Sequence, residues 1–546
     1  MTESYGGRDA GDLLARIPFH PILMAAAPAL IMLAANIDQL RPSAAFRAIV
    51  FSVLAGIALL LVLRILIRSW KRAALVTTAL LLFFFSYGQV YGYLRSQEEW
   101  GLVVARHRYM LPIWLMGLAA IITLLLRARK HGEALTSVFN LVAIAAVAMP
   151  LVQIAVFELR SSAAASGLES DAALETTLQL PVGQPAPDIY YIIPDSYERD
   201  DYLLSEYGYD NQPFLDSLKE MGFYVAKCSQ SNYISTDLSL PSSLNMNYLE
   251  ALGDEFQPGR TEKHGLLALM KKSRVQRELE ALGYSVVAFE TGFIITQLDD
   301  ADYYYELPKE GSLDQLFGLE GVNGFEAMLI QNSGARILTD VGNVIGILAE
   351  VLPDLDRPRS IYRDRTLFVL DQLAPDKVPS QRGPKFVFVH IISPHYPYVI
   401  DRDGEFVDRE IAHNDREAYI NQLIYLNTRL EEIVRGMIET ADVPPIVILQ
   451  ADTGNGAVRK PATEILNAYL LPAEGSSGLY PGISPVNTFR LIFNTYFGGK
   501  FELLEDTSYS SDSSGPYDLT EVLESRPGCE EDAGDSLSGR INLSAP

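Results

Sequence analysis

Five apolar stretches near the start of the chain constrain its fold more than any other feature. They cover residues 18–36, 45–67, 72–94, 109–126 and 136–157. Each approaches or exceeds the roughly 20 residues that a helix needs to cross the hydrocarbon core of a membrane. Because a soluble bundle seldom contains five such stretches in succession, we predict an integral membrane domain of about five spans over residues 1–157.

The distribution of charge gives this membrane domain an orientation. Residues 1–157 contain 14 Lys and Arg against 7 Asp and Glu, whereas the rest of the chain contains 30 against 61. The basic residues concentrate in the short loops 68–72 and 127–130, which the positive-inside rule places in the cytoplasm. We therefore expect a cytoplasmic N-terminus and a large acidic domain outside. Such a domain excludes nucleic acid as a partner, because nucleic-acid binding depends on cationic contacts to phosphates.

After the membrane domain, short apolar runs alternate with helical patterns. Runs of four to eight β-branched and aromatic residues predict strands that are buried on both faces of a parallel sheet. These runs are 189–193, 285–289, 385–392 and 446–449. Residues 266–282 and 409–440 show helical periodicity between them. The alternation predicts a doubly wound α/β sandwich.

The patterns divide the chain into four parts. These are the transmembrane domain 1–157, a stalk 158–187, an α/β domain 188–507 and an acidic low-complexity tail 508–546. The tail is rich in Ser, Asp, Glu and Gly, so we expect it to be disordered. The two cysteines, Cys228 and Cys529, are too distant in sequence to be assigned as a disulfide bond.

Polar residues at the ends of the predicted strands indicate a site, because ligands of doubly wound folds bind at the carboxyl ends of the strands. Asp195 and Asp452 follow two of the runs, and His390 and His395 lie in and just after a third. Thr236 precedes a predicted helix, whose N-terminus favours a phosphate or sulfate group. Taken singly, these residues are typical of turns, helix caps and structural histidines. Together they indicate metal-assisted transfer of a tetrahedral anion.

Four segments, in this order, resemble the membrane-anchored sulfatase-like proteins of the alkaline phosphatase superfamily. They are PDIYYIIPDSY from Pro187, SNYISTDLSLPSSLN from Ser231, KFVFVHIISPHYP from Lys385 and ISPVNTFRLIFN from Ile483. The family includes lipoteichoic acid synthases and lipid A phosphoethanolamine transferases. The resemblance implies an alkaline phosphatase/sulfatase-like domain, anchored in a bacterial-type cytoplasmic (inner) membrane, that acts on a membrane lipid or an envelope glycan.

The resemblance also implies roles for individual residues. Thr236 matches the nucleophile, His390 and His395 match substrate-binding residues, and the metal ligands are Asp195, Thr236, Asp452 and Thr453. The implied activity is that of a hydrolase or transferase. It would move a phosphate-ester group, of phosphoglycerol or phosphoethanolamine type, through the threonine with the help of one divalent metal ion.

One position departs from the family pattern. The Asp-His-Gly metal motif reads Asp452-Thr453-Gly454, and the last histidine of the chain is His413. An all-oxygen ligand set suits manganese, magnesium or calcium better than zinc, which prefers nitrogen and sulfur ligands.

Three interpretations stay open. The first is an active metal-dependent enzyme, and the second is a pseudoenzyme, possessing no metal, that binds or helps assemble envelope lipids or glycans. A sulfatase is disfavoured, because Ser-Gln-Ser follows Cys228 where a formylglycine motif would be needed. The sequence leaves the donor, the acceptor and the oligomeric state open.

Overall fold

The computed structural model describes twelve stretches of the chain. They are residues 17–97, 105–127, 132–171, 178–180, 183, 185–308, 322–338, 357–407, 411–458, 460–473, 475–523 and 529. The contacts divide the chain into two compact units. One unit comprises Met1–Glu158 with Lys309–Pro358, and the other comprises Leu159–Pro308 with Arg359–Pro546.

Five apolar helices open the described part of the chain, as predicted. They are α1 His20–Ala35, α2 Pro42–Ile67, α3 Trp70–Arg95, α4 His107–Arg127 and α5 Gly132–Asp171. Helices α2 to α5 are long and apolar enough to cross a membrane, whereas α1 has only 16 residues. At 1.5 Å per residue α1 is about 24 Å long. Helix α5 continues past its predicted end, into the segment predicted to be a stalk.

A seven-stranded sheet forms the centre of the second unit, with strand order β2-β7-β6-β1-β5-β3-β4. Its strands are β1 Ile189–Pro194, β2 Tyr224–Val225, β3 Ser285–Phe289, β4 Tyr303–Tyr305, β5 Lys385–Ile391, β6 Ile446–Gln450 and β7 Asn467–Leu470. Strands β6, β1, β5, β3 and β4 are parallel, and β7 and β2 form an antiparallel edge. The four strands predicted from the sequence are β1, β3, β5 and β6.

Helices cover both faces of this sheet. Along β1, Ile189, Tyr191 and Ile193 belong to one buried cluster, and Tyr190 and Ile192 belong to another. Nine helices follow α5 in the described residues: α6 Asp200–Tyr207, α7 Gln212–Glu220, α8 Thr236–Asn245, α9 His264–Lys271, α10 Arg274–Ala281, α11 Gly324–Gln331, α12 Arg357–Gln372, α13 Arg416–Thr440 and α14 Pro485–Tyr496. Helices α8, α9, α10 and α14 contribute to the first cluster, and α6, α7, α12 and α13 to the second. The α/β sandwich is confirmed.

Two local predictions need correction. The helix expected over 266–282 is divided into α9 and α10, because the Ser273 side chain accepts a hydrogen bond from the Gln276 N–H and starts a new helix. The tail is ordered over 508–522, where β8 Ser508–Asp512 and β9 Gly515–Val522 form an antiparallel hairpin. Polar composition concealed this hairpin, which buries Tyr517 against the core. Beyond the hairpin, Cys529 forms a disulfide bond with Cys228, a pair that the sequence left unassigned.

Residues 322–338 lie within the predicted α/β domain but pack in the first unit, against the apolar helices. Phe325 of α11 is buried in a cluster with residues of α1 and α2. Glu326 forms an ion pair with Arg47 of α2, and Asn323 donates to the Ala44 carbonyl at 3.1 Å. The apolar contact and the ion pair together explain why this segment joins the membrane unit.

The same segment lies against α3 at a glycine. Gly334 donates its N–H to the Phe84 carbonyl at 2.6 Å. A Cβ atom at Gly88 would overlap the backbone between Gln331 and Ser333, whereas one at Gly92, a turn further along α3, would meet nothing within 4 Å.

Gly88→Ala should therefore detach residues 322–338 from α3. The added Cβ would overlap backbone atoms, which cannot move away by changing a rotamer as a side chain can. We therefore expect the free energy of unfolding to fall by about 1–3 kcal/mol. Thermal unfolding of the full chain in detergent, together with limited proteolysis within 322–338, measures the effect. Gly92→Ala is the matched control and should be neutral or stabilising by up to about 1 kcal/mol. Equal responses at the two positions would contradict the packing of this segment against α3.

Candidate active site

The strand order brings three of the predicted site residues, Asp195, His390 and Asp452, to one edge of the sheet. Strand β1 lies between β6 and β5 and pairs with both, and Ile193 is in register with His390. Asp195 follows β1, Asp452 follows β6, and His390 is the penultimate residue of β5. The Asp195 N–H donates to the Ile391 carbonyl at 2.9 Å, which fixes the end of β1 to the end of β5.

Asp195, His390 and Asp452 form a buried cluster with the donor atoms of a metal site. One potential ligand atom from each lies within 4.8 Å of the other two. The His390 Nε2 atom is 3.7 Å from Asp195 Oδ2, which is too long for a hydrogen bond. Among the described residues, neither oxygen of Asp452 nor the Nε2 atom of His390 has a hydrogen-bond partner. Buried polar atoms are rarely left without partners, so these residues fit a divalent cation.

The charge of the cluster supports the same conclusion. Burial raises the pKa of Asp195 to about 7, and the hydrogen bond from Ser196 opposes this rise. Burial also raises the pKa of Asp452 well above its ordinary value, and the neighbouring charge of Asp195 adds to the rise. Burial lowers the pKa of His390 to about 3, so its imidazole is neutral. Two adjacent buried carboxylates are costly without a compensating positive charge, and a bound cation would supply it.

Thr236 is the first residue of α8 and adjoins the cluster. Its hydroxyl lies close enough to Asp452 to lower the pKa of that carboxyl in part. Helix α8 directs its free N–H groups towards this end of the sheet, where they favour an anion. Thr453 is buried directly after Asp452. The structure thus brings the Thr236 hydroxyl to Asp452, whereas the ligand roles of Thr236 and Thr453 stay predictions.

The two histidines occupy different environments. His390 is buried, and its Nδ1 atom lies 2.9 Å from the hydroxyl of Thr296. His395 is half-buried, and its Nδ1 atom contacts the Tyr396 carbonyl. Burial lowers the pKa of His395, and the charge of Asp452 acts in the opposite direction. His395 therefore lies beside the cluster as a neutral imidazole, whereas His390 is part of the cluster.

The residue after Asp195 has a strained backbone. Ser196 has a φ of 62°, a conformation that is costly for a residue with a side chain and is often found at functional sites. Its hydroxyl donates to Asp195 Oδ1 at 3.0 Å, and its carbonyl accepts from the Tyr419 hydroxyl at 2.8 Å. These bonds hold the strained turn and orient the Asp195 carboxylate.

A polar cleft of about 550 Å³ lies beside the start of α8. Ser235 and Asp237, the neighbours of Thr236, line it on one side, and Lys460 lines it on another. The β8–β9 hairpin forms a further wall, with the side chains of Ser510, Ser511 and Asp512. The volume falls within the range of small-molecule sites, roughly 300–1,000 Å³. Thr236 and the Asp195–His390–Asp452 cluster are not among the lining residues, so the cleft adjoins the start of α8 without including the cluster.

Sequence reasoning missed three parts of this site. It assigned His390 to substrate binding and not to the metal site, because the contact of His390 with the aspartates depends on long-range strand pairing that a linear pattern does not show. Thr296 ends a short 3-10 helix before β4, and its sequence context gave no signal. The hairpin wall was hidden in a segment expected to be disordered.

Comparisons with known proteins give distant similarities only. No protein-family model and no curated protein matches the chain. Among solved structures, the C-terminal periplasmic domain of EptC from Escherichia coli, in complex with Zn, has 10% identity and a TM-score of 0.40, covering 65% of this chain and 98% of its own. The integral membrane lipooligosaccharide phosphoethanolamine transferase A from Neisseria meningitidis has 11% identity and a TM-score of 0.38, covering 89% and 95%.

A third similar structure is a phosphonate monoester hydrolase of Agrobacterium radiobacter, with 13% identity and a TM-score of 0.34 over 59% of this chain and 80% of its own. At these TM-scores and identities the similarities are too distant to assign an activity.

Proposed function

We propose that this protein is a membrane-anchored enzyme that hydrolyses or transfers a phosphate ester, with Thr236 as nucleophile and a divalent metal ion beside it. The observation that carries the proposal is the buried cluster of Asp195, His390 and Asp452, in which the two oxygens of Asp452 have no hydrogen-bond partner among the described residues and lie next to the Thr236 hydroxyl. A bound divalent ion lowers the pKa of a nearby hydroxyl and neutralises charge on the ester oxygens. Thr453 is buried and follows Asp452 in the chain, and it would add a weaker neutral oxygen.

The residues of the chain account for the remaining steps. The Thr236 oxygen forms a bond to phosphorus as the bond to the leaving oxygen breaks, and the proton lost by Thr236 is gained by the leaving group. Attack by water, or by an acceptor hydroxyl in the polar cleft, then releases the phosphoryl group and restores the Thr236 hydroxyl. His395 donates its Nδ1–H to the Tyr396 carbonyl, so the Nε2 atom of this neutral imidazole is placed to accept a hydrogen bond from a substrate hydroxyl or from water.

The disulfide bond supports an extracytoplasmic active site. Cys228 and Cys529 are bonded within the unit that contains the α/β domain. Because disulfide bonds persist in oxidising compartments, this bond favours a location outside the cytoplasm.

Metal content and diester cleavage test the proposal together. The full chain in detergent is stripped with a chelator, equilibrated with manganese or zinc, and analysed for bound metal. It is then assayed with bis(p-nitrophenyl) phosphate, a generic diester. We expect near-stoichiometric metal and a rate that the chelator abolishes. Retained metal with a rate no higher than that of buffer would reject the catalytic part of the proposal.

A second candidate function is a metal-free binding protein that keeps the fold. The observation that favours it is Thr453, a neutral hydroxyl at the position where the family that the sequence resembles has a metal-binding histidine. A folded chain that takes up no metal at saturating manganese or zinc would support this candidate and would reject the enzyme.

A further inference from the structure

We propose that His390 is the nitrogen ligand of the metal, and that Thr296 is the positioning residue that fixes its protonation. This inference rests on the metal site of the proposed function. It gives a new role to His390, which the sequence implied to be a substrate-binding residue, and a first role to Thr296. It also explains how the cluster obtains an imidazole although position 453 is a threonine.

The location of His390 supports ligation over substrate binding. Its imidazole is 1% exposed, and the Nε2 atom faces the Asp195 carboxylate from the neighbouring strand. With no hydrogen-bond partner among the described residues, Nε2 is a buried polar atom directed at two carboxylates. A metal ion between Nε2 and the carboxylates would satisfy all these atoms at once.

The hydrogen bonds around Thr296 determine which ring nitrogen carries the proton. The Thr296 hydroxyl has acceptors at the Phe293 carbonyl, 3.3 Å away, and at the Thr291 hydroxyl, 3.1 Å away. The Thr291 hydroxyl donates its own proton to the same Phe293 carbonyl at 3.0 Å. Because the single proton of Thr296 is directed to these acceptors, its oxygen is left to accept from His390.

His390 therefore carries its proton on Nδ1, which donates to Thr296 at 2.9 Å. The lone pair is then on Nε2, the atom that faces the carboxylates. The opposite tautomer would bury an Nε2–H without an acceptor, and an unmet buried donor is costly. Histidines that bind metals are generally held by such a bond from the second ring nitrogen, which fixes the tautomer and the ring orientation.

The resulting donor set differs from the all-oxygen set expected from sequence. It consists of two carboxylates, one imidazole and the Thr236 hydroxyl. Zinc is bound mainly through nitrogen, sulfur and carboxylate ligands in four-coordinate sites, and manganese also accepts mixed nitrogen and oxygen donors. Zinc thus joins manganese as an ion that these residues suit.

Metal titration of the full chain in detergent tests the inference, with zinc and manganese as the probes. Thr296→Val keeps the shape of the side chain but removes the acceptor, so metal affinity should fall about 10- to 100-fold. Thr296→Ser keeps the hydroxyl and should restore affinity to near the wild-type value. His390→Gln should weaken binding further than Thr296→Val. The visible absorption of bound cobalt should change in His390→Gln, which replaces the ligand itself.

Thr488→Val is the matched control. Thr488 is a buried threonine that is hydrogen-bonded to Gln450 and Tyr469, so its loss should lower the unfolding temperature without changing metal affinity. If Thr296→Val and His390→Gln both bind metal as tightly as the wild type, His390 is not a ligand, although the proposed enzyme stands. If the wild type binds neither metal, the proposed function itself fails. His390→Gln alone decides the inference if Thr296→Val does not fold.

Discussion

Thr236→Ala is expected to lower the rate of phosphodiester cleavage by about a thousandfold or more, because it removes the oxygen that bonds to phosphorus. The hydroxyl stands at the start of α8, next to Asp452 and between two residues that line the polar cleft. No change of similar size is expected in the fold, since Thr236 is only partly buried. Initial rates with bis(p-nitrophenyl) phosphate on the metal-loaded full chain measure the effect.

Two further variants show whether the loss belongs to the hydroxyl. Thr236→Ser keeps a hydroxyl at the same place and should retain measurable turnover. Ser243→Ala removes a different hydroxyl of α8. This hydroxyl donates to the Ser239 carbonyl at 2.9 Å, and Ser243 does not line the cleft. The substitution should lower stability slightly and leave the rate unchanged. A Thr236→Ala protein with the wild-type rate would rule out this nucleophile.

Asp452→Asn is expected to abolish metal binding while stabilising the metal-free protein at alkaline pH. Loss of a carboxylate ligand should weaken affinity by more than the roughly 10- to 100-fold typical of outer-shell changes. The stabilisation follows from the raised pKa values of Asp195 and Asp452, because both carboxyls bind protons more tightly in the folded state than in the unfolded chain.

Deprotonation of these buried carboxyls makes the metal-free fold less stable as the pH rises. Unfolded aspartates titrate near pH 4, roughly, whereas Asp195 titrates at about 7 in the fold. The contribution of these two carboxyls to the stability of the metal-free wild type is therefore most favourable at acidic pH. It falls as the pH rises towards about 7, and it stays low above that value. Asparagine has no charge to bury, so Asp452→Asn should show a smaller decrease in unfolding temperature between acidic and alkaline buffer.

Asp401→Asn serves as the control for this experiment. Asp401 is a loop residue whose side chain accepts from the Asp403 and Glu405 N–H groups, and an asparagine oxygen can replace it there. Neither metal affinity nor the pH dependence of unfolding should change. If Asp452→Asn unfolded at a lower temperature than the metal-free wild type at alkaline pH, burial of an uncompensated charge at this site would be disproved.

The fold was largely predictable because its signals are local. Long apolar stretches predicted helices α1 to α5, and short β-branched runs predicted the central strands β1, β3, β5 and β6. Strand-end position was enough to select Asp195 and Asp452, which the structure brings together. The helix and strand signals depend only on residues that are neighbours in the sequence. The choice of Asp195 and Asp452 depends on one general rule, that ligands of doubly wound folds bind at the carboxyl ends of the strands.

Features that depend on distant partners were not predictable. His390 lies beside the aspartates only because strand β5 pairs with strand β1. Asp195 and His390 are 195 positions apart in the sequence. Tyr517 orders a hairpin whose local composition is typical of a disordered tail. Glu326 and Arg47 are 279 positions apart, and nothing near either residue indicates that they form a pair.

The packing of residues 322–338 on the apolar helices affects how a soluble piece of this protein should be prepared. A fragment that starts after α5 would retain Phe325 and Glu326 without the α1 and α2 surfaces that cover them. An uncovered apolar face of this kind promotes aggregation. A soluble fragment therefore requires removal of residues 322–338 together with helices α1 to α5. These residues belong to the same packing unit, although they are far apart in the sequence.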